Sequence, residues 1–555
     1  MHLMAKVACA ITFAVSVISV AAAATPALLL PHLSRPRAEY LLAHPDKMAK
    51  FMAQYNDAGR RSPAANRVTL PSGGTWATVT AGPTGLCNPL LTHFGTVLVH
   101  DCLSANWWIL TPGKFGSYAT GHWTQAATPP VIDGTQYAPK FFASAVLPDG
   151  AILVEGGEYN NGVLQDTNAG GIYDPIFNEW KAVNPPATIG AQEIGDAASV
   201  VLRNGVFVLA PCCSQPYQNY LFHESNSTWS PVAAPNETGQ QTQDEQGYEL
   251  LPNGNVLTID VWGAPNEVEQ FTPSTKAWST VGNTPVSLVD PDACGTHEIG
   301  PAVVRGGTLV AFGGNTGCTT PATDPTAIYN IGTQTWSTGP VVPSVCGADS
   351  TAPCTLADAP AALLRTGNIL FAASAGYGGR PTHFFEFTRD NSIVQVSDPV
   401  RDSDIPVAQY NFLELPSGQI FVTNGVISPA EVYTPKGKRL AAYVPTITSV
   451  DSTLSATGGP YVLSGKQLNG RSQGAMYGDD AQAATNYPLV RIKNNATGHV
   501  FYAYTFGYST MSIAANAASS FSFLVATATE TGASTLEVVT NGVASAPVSV
   551  TIVPS

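Results

Sequence analysis

Seven times along the chain, an apolar run of strand length breaks at a Gly and resumes. The copies read "HFGTVLVHD" at Gly95, "LPDGAILVEGG" at Gly150, "LRNGVFVLAP" at Gly205 and "LPNGNVLTID" at Gly254. They continue as "VRGGTLVAFGG" at Gly307, "LRTGNILFAASAG" at Gly367 and "LPSGQIFVTNG" at Gly418. Successive glycines are 55, 55, 49, 53, 60 and 51 residues apart. Each copy predicts a β-hairpin whose turn needs a residue tolerant of positive φ. A second hairpin follows, marked by an aromatic residue seven positions before a Trp: Tyr173…Trp180, Phe222…Trp229, Phe271…Trp278 and Tyr329…Trp336. The frame continues with substitutions in Phe387…Val394 and Tyr433…Leu440, while the first copy is longer and ends at Trp123. Two hairpins make a four-stranded sheet. One such sheet cannot bury both its faces, so neighbouring copies stack radially. The expected fold class is all-β, with a seven-bladed β-propeller over residues 76–443.

The flanks read differently. "TWATV" at Trp76 looks like an outer strand with no hairpin of its own; it either closes the ring beside the last copy or leads into the first. After Tyr443 Trp disappears, and segments such as "TLEVVTNG" and "APVSVTIVPS" alternate as sandwich strands do. Residues 444–555 are expected to form an immunoglobulin-like (early-set) β-sandwich. At the other end, Lys6, an apolar stretch over 7–20 and an Ala run over 21–24 have the form of a secretory signal. Residues 1–24 are therefore read as a signal peptide, and 25–75 as an N-terminal arm with a short helix over 49–55. No second run of about 20 apolar residues follows, so no membrane span is expected.

Composition supports this picture and narrows the partners. The 555 residues include 51 Gly and 43 Pro but only 12% charged residues, which argues for many turns and against long helical bundles. Hydrophobic content of 44% is ample for large cores and argues against a disordered chain. The net charge of −14 argues against nucleic acid, whose phosphates need clustered Lys and Arg. Cleavage after the signal would remove Cys9 and leave eight cysteines. An even count in an exported protein predicts disulfides. Chain order offers Cys87–Cys102, Cys294–Cys318 and Cys346–Cys354, with Cys212 and Cys213 adjacent.

The repeat resembles kelch repeats, whose period is about 50 residues. The shared marks are the Gly-Gly of "VEGG" and "AFGG" and the Tyr…Trp pairs, over about residues 80–440. A secreted kelch propeller followed by an immunoglobulin-like domain resembles the galactose oxidase and glyoxal oxidase family, as does the text "PDACG…GTLVAFGG" over 291–314. That resemblance implies copper-radical oxidation of extracellular alcohols or aldehydes. The implied ligands are a Cys-crosslinked Tyr, a Tyr followed by His, and a His from the C-terminal domain. This chain departs at those positions. Phe141 stands where the crosslinked Tyr belongs, and Tyr410-Asn411 is the nearest counterpart of the Tyr-His pair. The strand around Met511 is the best counterpart of the C-terminal ligand strand, and His499 lies outside it. Cys87 lies near the crosslinking position but has Cys102 as a disulfide mate. The scaffold is expected to be shared and the copper site absent.

The same place in each repeat holds something else. Nine residues before each marked Gly stand Leu86, Phe141, Asp196, Glu245, Glu298, Asp358 and Gln409. That offset enters the innermost strand, at one mouth of the central channel. Four consecutive repeats put a carboxylate there, with Asp244 and His297 adjacent and Lys140 beside Phe141. Such carboxylates must bind a cation, share protons or stay hydrated. An oxygen-only set of Glu245, Glu298 and Asp358 suits a hard divalent ion such as Ca²⁺. An ion with His297 could activate water. A carboxylate pair among Asp196, Glu245, Glu298 and Asp358 could instead do acid–base work on a glycan. The plainer alternative is that these side chains hold backbone N–H groups of the next repeat.

Lys140, Phe141, Asp244, Gln409 and Tyr410 complete the expected ligand-binding set. "GEYNNG" over 157–162 reads as a loop tip, Trp107-Trp108 as core or as a sugar-stacking platform, and "YGDDAQ" over 477–482 as a solvated turn. Asn226, Asn236 and Asn495 begin N-x-Thr sequons. The expectation is a secreted monomer that binds carbohydrate or another small extracellular ligand. The enzyme readings, glycan hydrolase or lyase ahead of oxidase, stand as the alternative.

Overall fold

The computed structural model describes Pro45 and residues 73–554, apart from 81, 103, 184–192, 213–217, 236–242, 263–265, 291–296, 316–323, 344–345, 347–352, 400–403, 426–428, 456–457, 478–482 and 515. The signal peptide, most of the arm with its helix over 49–55, the Cys294–Cys318 pairing, Asn236 and the paired Asp479 and Asp480 lie outside the described residues. The rest is all-β, 47% strand and 2% helical.

The first five sequence repeats each become one antiparallel four-stranded meander, the sixth shares its sheet with a C-terminal hairpin, and the seventh supplies three strands. In the third, the strands are Ala198–Val201, Phe207–Ala210, Gln218–His223 and Thr228–Ala233. Burial falls from first to last: Ala198–Val201 is wholly buried, while Thr228–Ala233 is largely exposed. The first strands follow one another around the molecule. Ala143–Val146 touches Ala198–Val201, which touches Glu249–Leu250, then Ala302–Arg305, Pro360–Leu363 and Asn411–Glu414, and the last touches Leu86–Leu91 of the first repeat.

The marked glycines do what the hairpins require. Gly95, Gly150, Gly205, Gly254, Gly367 and Gly418 all have φ between 70° and 89°, where a side chain is strained. The fifth repeat corrects the expectation. Its Arg305 pairs with Thr308 across a two-residue turn, and Gly306 rather than Gly307 takes the positive φ.

The aromatic frame is a cross-strand pair. Tyr173 faces Trp180, Phe222 faces Trp229, Phe271 faces Trp278 and Tyr329 faces Trp336. In the sixth repeat Phe387 pairs with Ile393, one residue short of the expected Val394. In the seventh, Tyr433 faces not Leu440 but Trp76, their rings 5.0 Å apart. Thr75–Thr78 is the outer strand of the last sheet, so the closing alternative holds for "TWATV". Trp76 thus replaces the Trp that the last repeat lacks.

Beyond Tyr443 nine strands run in one curled sheet whose side chains share a separate core of Leu454, Leu463, Ile492, Phe521, Leu536 and Ile552. This sheet packs on the Gly-turn end of the repeats. Tyr504 Oη donates to Asp149 O at 2.6 Å, Met511 N to Arg203 O at 2.8 Å and Gly507 N to Pro148 O at 3.1 Å. From it a hairpin of Gly474–Tyr477 and Ala483–Ala484 enters the middle of the repeats and touches first strands of five of them. Gly474–Tyr477 pairs directly with Pro360–Leu363. Disulfides Cys87–Cys102 and Cys346–Cys354 form as expected. Among the described residues, no helix is long and apolar enough to cross a membrane.

Candidate functional site

The carboxylates at the repeated offset converge. Asp196, Asp244 and Glu245 each offer an oxygen, and these lie within 4.8 Å of one another. Glu245, Glu298 and Asp358 form a second such triad, and Glu245 belongs to both. Four repeats contribute. Each residue sits just upstream of the first strand of its sheet, where the chain arrives at the end away from the Gly turns. Asp196, Asp244, Glu245 and Glu298 are buried, and Asp358 is partly so.

The backbone is strained there. Phe141, Glu245 and Asp358, at the same offset in three repeats, have φ of 52°, 64° and 53°. Non-Gly residues in this left-handed region cost about 1 kcal/mol or more and cluster at functional sites. Surrounding contacts fix the site walls. Tyr377 Oη donates to Glu298 Oε1 at 2.8 Å. The buried His297 ring stacks on Trp262 at 3.9 Å, and its Nδ1 lies 3.0 Å from Val261 O. Trp262 Nε1 donates to Asp244 O at 2.8 Å. Lys140 Nζ stands over the Phe141 ring at 4.4 Å and near Tyr159 at 5.6 Å.

Three neighbours were not legible as site residues. Glu158 lies in the stretch read as a loop tip, but it and Tyr159 and Asn160 are buried; only Asn161 and Gly162 are exposed there. Glu158 N donates to Phe141 O at 3.0 Å. Its Oε1 makes no hydrogen bond among the described residues. Burial pushes the Glu158 carboxyl well above its ordinary range, and Asp166, Asp244 and Asp358 push the same way while Lys140 opposes. Asp166 also joins Asp196 in a triad with Cys212. Tyr477 is the third. It pairs with Pro360 and stacks on Phe141 at 6.2 Å with 18° between planes. The C-terminal region therefore reaches the site through Tyr477, not through the strand around Met511.

Other expected residues fall elsewhere. Tyr410 is 1% exposed and packs edge-on against Phe384 in the core. Gln409 flanks Gly425 together with the Cys87 sulfur, between the first and last repeats. Trp107 is core, 5.2 Å from Trp180. His499 pairs with Glu530 at 2.8 Å in the C-terminal sheet. A carboxylate at another offset holds backbone in this way: buried Asp324 accepts from Asn315 N at 2.6 Å and Leu356 N at 2.8 Å.

No family model and no curated protein matches the chain. Solved structures do match. A fungal alcohol oxidase of the AA5 family, in complex with copper, is 12% identical at a TM-score of 0.46, over 87% of this chain and 99% of that one. A streptogramin B lyase is 11% identical at 0.42, over 65% and 97%. The extracellular domain of a one-component system of B. thetaiotaomicron is 9% identical at 0.37, over 89% and 60%.

Proposed function

We propose that the protein is an exported, seven-bladed kelch-like propeller over residues 76–443 with an immunoglobulin-like sandwich over 444–555. It binds an extracellular carbohydrate at its acidic mouth, with a divalent cation such as Ca²⁺ held by Glu245, Glu298 and Asp358. The observation that carries this reading is the convergence of carboxylates from four repeats onto two triads with oxygens within 4.8 Å. Oxygens on opposite sides of a Ca²⁺ ion stand about 4.6–5.2 Å apart, so each triad is compact enough to share one ion. Asp196 and Asp244 add negative potential around it. Carbohydrate suits the mixed lining: the rings of Phe141, Tyr159 and Tyr477 lie together beside hydrogen-bonding carboxylates. The disulfides fit an oxidising compartment.

The copper-radical reading fits these residues poorly. Phe141 has no phenol, the Lys140 ammonium covers its ring, and Tyr410 is packed into the core. The donors are carboxylate oxygens, which suit hard ions. One observation favours an enzyme as a second reading: burial and the nearby Asp166, Asp244 and Asp358 favour the protonated form of Glu158, which would pair a general acid with a neighbouring carboxylate. Such a pair is the arrangement for acid–base cleavage of a glycan.

The test is calorimetric titration of the EDTA-stripped secreted protein with Ca²⁺, followed by a glycan array with and without the ion. Glu298→Gln and Asp358→Asn should each weaken Ca²⁺ binding at least about tenfold, the cost of losing one charged ligand. No binding of any divalent ion, with unchanged glycan binding in both variants, would sink the site. Stoichiometric copper with peroxide production would restore the oxidase. Shortened glycan products, lost in Glu158→Gln, would select the enzyme.

A further inference from the structure

The Gly-turn end of the repeats holds a second site of opposite charge. A cavity of about 500 Å³ opens where the fourth, fifth and sixth repeats meet the C-terminal sheet. Its lining includes Arg305, Arg389, Arg471 and Tyr443, with Leu440 and Ile331 as apolar wall. Only 25 of the 555 residues are Lys or Arg, so three arginines around one cavity need a reason.

Two of them are held in place. Arg305 Nη1 donates to Thr388 O at 2.6 Å and Nη2 to Asn391 Oδ1 at 2.7 Å. Arg471 donates to Ala442 O from Nε at 3.2 Å and from Nη2 at 2.8 Å. Each guanidinium has five N–H donors, so these bonds leave others for a ligand. Among the described residues, the ion pairs His383–Asp398, Arg491–Glu537 and His499–Glu530 involve none of the three arginines. Of the acids, Asp390 acts on Arg305, its exposed carboxylate accepting from the Thr388 and Ser392 hydroxyls, and Glu414 acts on Tyr443, its carboxylate accepting from Thr485. Burial lowers the Arg305 and Arg471 pKa values; Tyr443 opposes this at both, and at Arg305 Arg389 lowers the value further while Asp390 raises it. Burial raises the Tyr443 pKa while Arg305, Arg471 and Arg389 pull it down, so all three cations act on one phenol. Partly buried cations crowded together are costly, and an anion between them reverses the cost.

We propose that this cavity binds a small molecule through an oxyanion group, clamped by Arg305, Arg389 and Arg471 with the Tyr443 hydroxyl donating. Phosphate, sulfate and carboxylate share the chemistry, since the planar fork of Arg matches all three. A volume of about 500 Å³ leaves room for a ligand body against Leu440 and Ile331.

Inorganic phosphate, sulfate and citrate, each titrated separately into the full protein in a low-chloride buffer, test this. At least one should bind saturably and raise the melting temperature. Arg389→Gln removes a surface side chain that the fold does not use for a hydrogen bond among the described residues, and should weaken binding about tenfold. Arg471→Gln should do the same, and the double variant should abolish it. Lys276→Gln, on an exposed turn of the fourth repeat, should leave affinity unchanged. Preference for phosphate or sulfate points to an ester ligand, and preference for citrate to a carboxylic acid. Absence of saturable binding by all three up to about 50 mM, or retention of affinity within about twofold in the double variant, overturns the site.

Discussion

The two ends of one short strand show the molecule's division of charge. Ala302–Arg305 is the first strand of the fifth repeat. Glu298, just before it, belongs to the acidic triad, and Arg305, its last residue, belongs to the basic cavity. The two sites differ in construction. The acidic one is built by repetition: one offset in successive repeats points carboxylates at a common centre. The basic one is built by junction, with arginines from two repeats and a third from the C-terminal region. Repetition gives a site made of like groups whose repulsion must be relieved. Junction gives a site of like groups that also hold the two parts of the chain together.

Proton linkage separates the two most widely. A buried carboxyl whose folded pKa is raised keeps its proton where the unfolded chain has lost it. The unfolded state then binds fewer protons, so stability falls as pH rises above the ordinary value of about 4.5. Glu158 is such a group, and so are Glu155 and Glu249, both raised by burial. In EDTA the unfolding free energy should fall with rising pH by up to about 1.4 kcal/mol per pH unit for each of them. Glu158→Gln should remove one proton's share of that slope, measured by urea denaturation across pH. Arg471→Gln should leave the slope intact, because a guanidinium does not titrate in that range. Equal slopes in wild type and Glu158→Gln would mean that Glu158 is ionised, and the acid–base reading would fall with it.

The difference in construction also explains what could be read from the chain alone. The seven Gly turns, the aromatic pairs and the carboxylate offset repeat, so each copy supports the others. Trp76 was legible as an outer strand but not as the partner of Tyr433, because the pair spans nearly the whole repeat region. Glu158 was missed for a geometric reason. In an antiparallel hairpin, the residue nine before the Gly lies opposite the exit of the second strand, and Glu158 stands there, eight after Gly150. Trp262, which covers His297, occupies the same offset after Gly254. A search on both sides of each turn would have found both. Tyr477 and the arginine cavity carry no such signal. They depend on how the C-terminal hairpin and sheet dock, which no local period encodes.

Within the basic cavity the hydroxyl and the guanidiniums are separable. Tyr443 is 6% exposed, and its oxygen can donate to an oxyanion, while its ring fills the wall. Tyr443→Phe keeps the ring and removes one hydrogen bond, worth about 1.5–3 kcal/mol to a charged acceptor. Anion affinity should therefore drop about ten- to a hundredfold, and Ca²⁺ affinity should not move. An unchanged anion affinity would place the hydroxyl outside the clamp and leave recognition to the arginines.

The smallest expected effect is the coupling between the two sites. Glu298 and Arg305 are seven residues apart along nearly extended chain, which is roughly 20 Å. Two unit charges at that distance interact by about 0.2 kcal/mol in water, and salt at about 0.1 M screens them over about 10 Å. Glu298→Gln should thus change anion affinity by less than about twofold, and Arg389→Gln should change Ca²⁺ affinity as little. Calorimetry with one ligand present at saturation reads the same quantity in the wild type. A coupling of tenfold could not be electrostatic at this range. It would require that the repeats have two arrangements, with the docked C-terminal hairpin shifting between them, because coupling beyond the reach of charge needs an element both ligands bias. Tyr477, which touches the acidic mouth, and Arg471, which lines the basic cavity, stand six residues apart on that same segment, so the hairpin is where such a motion would be sought.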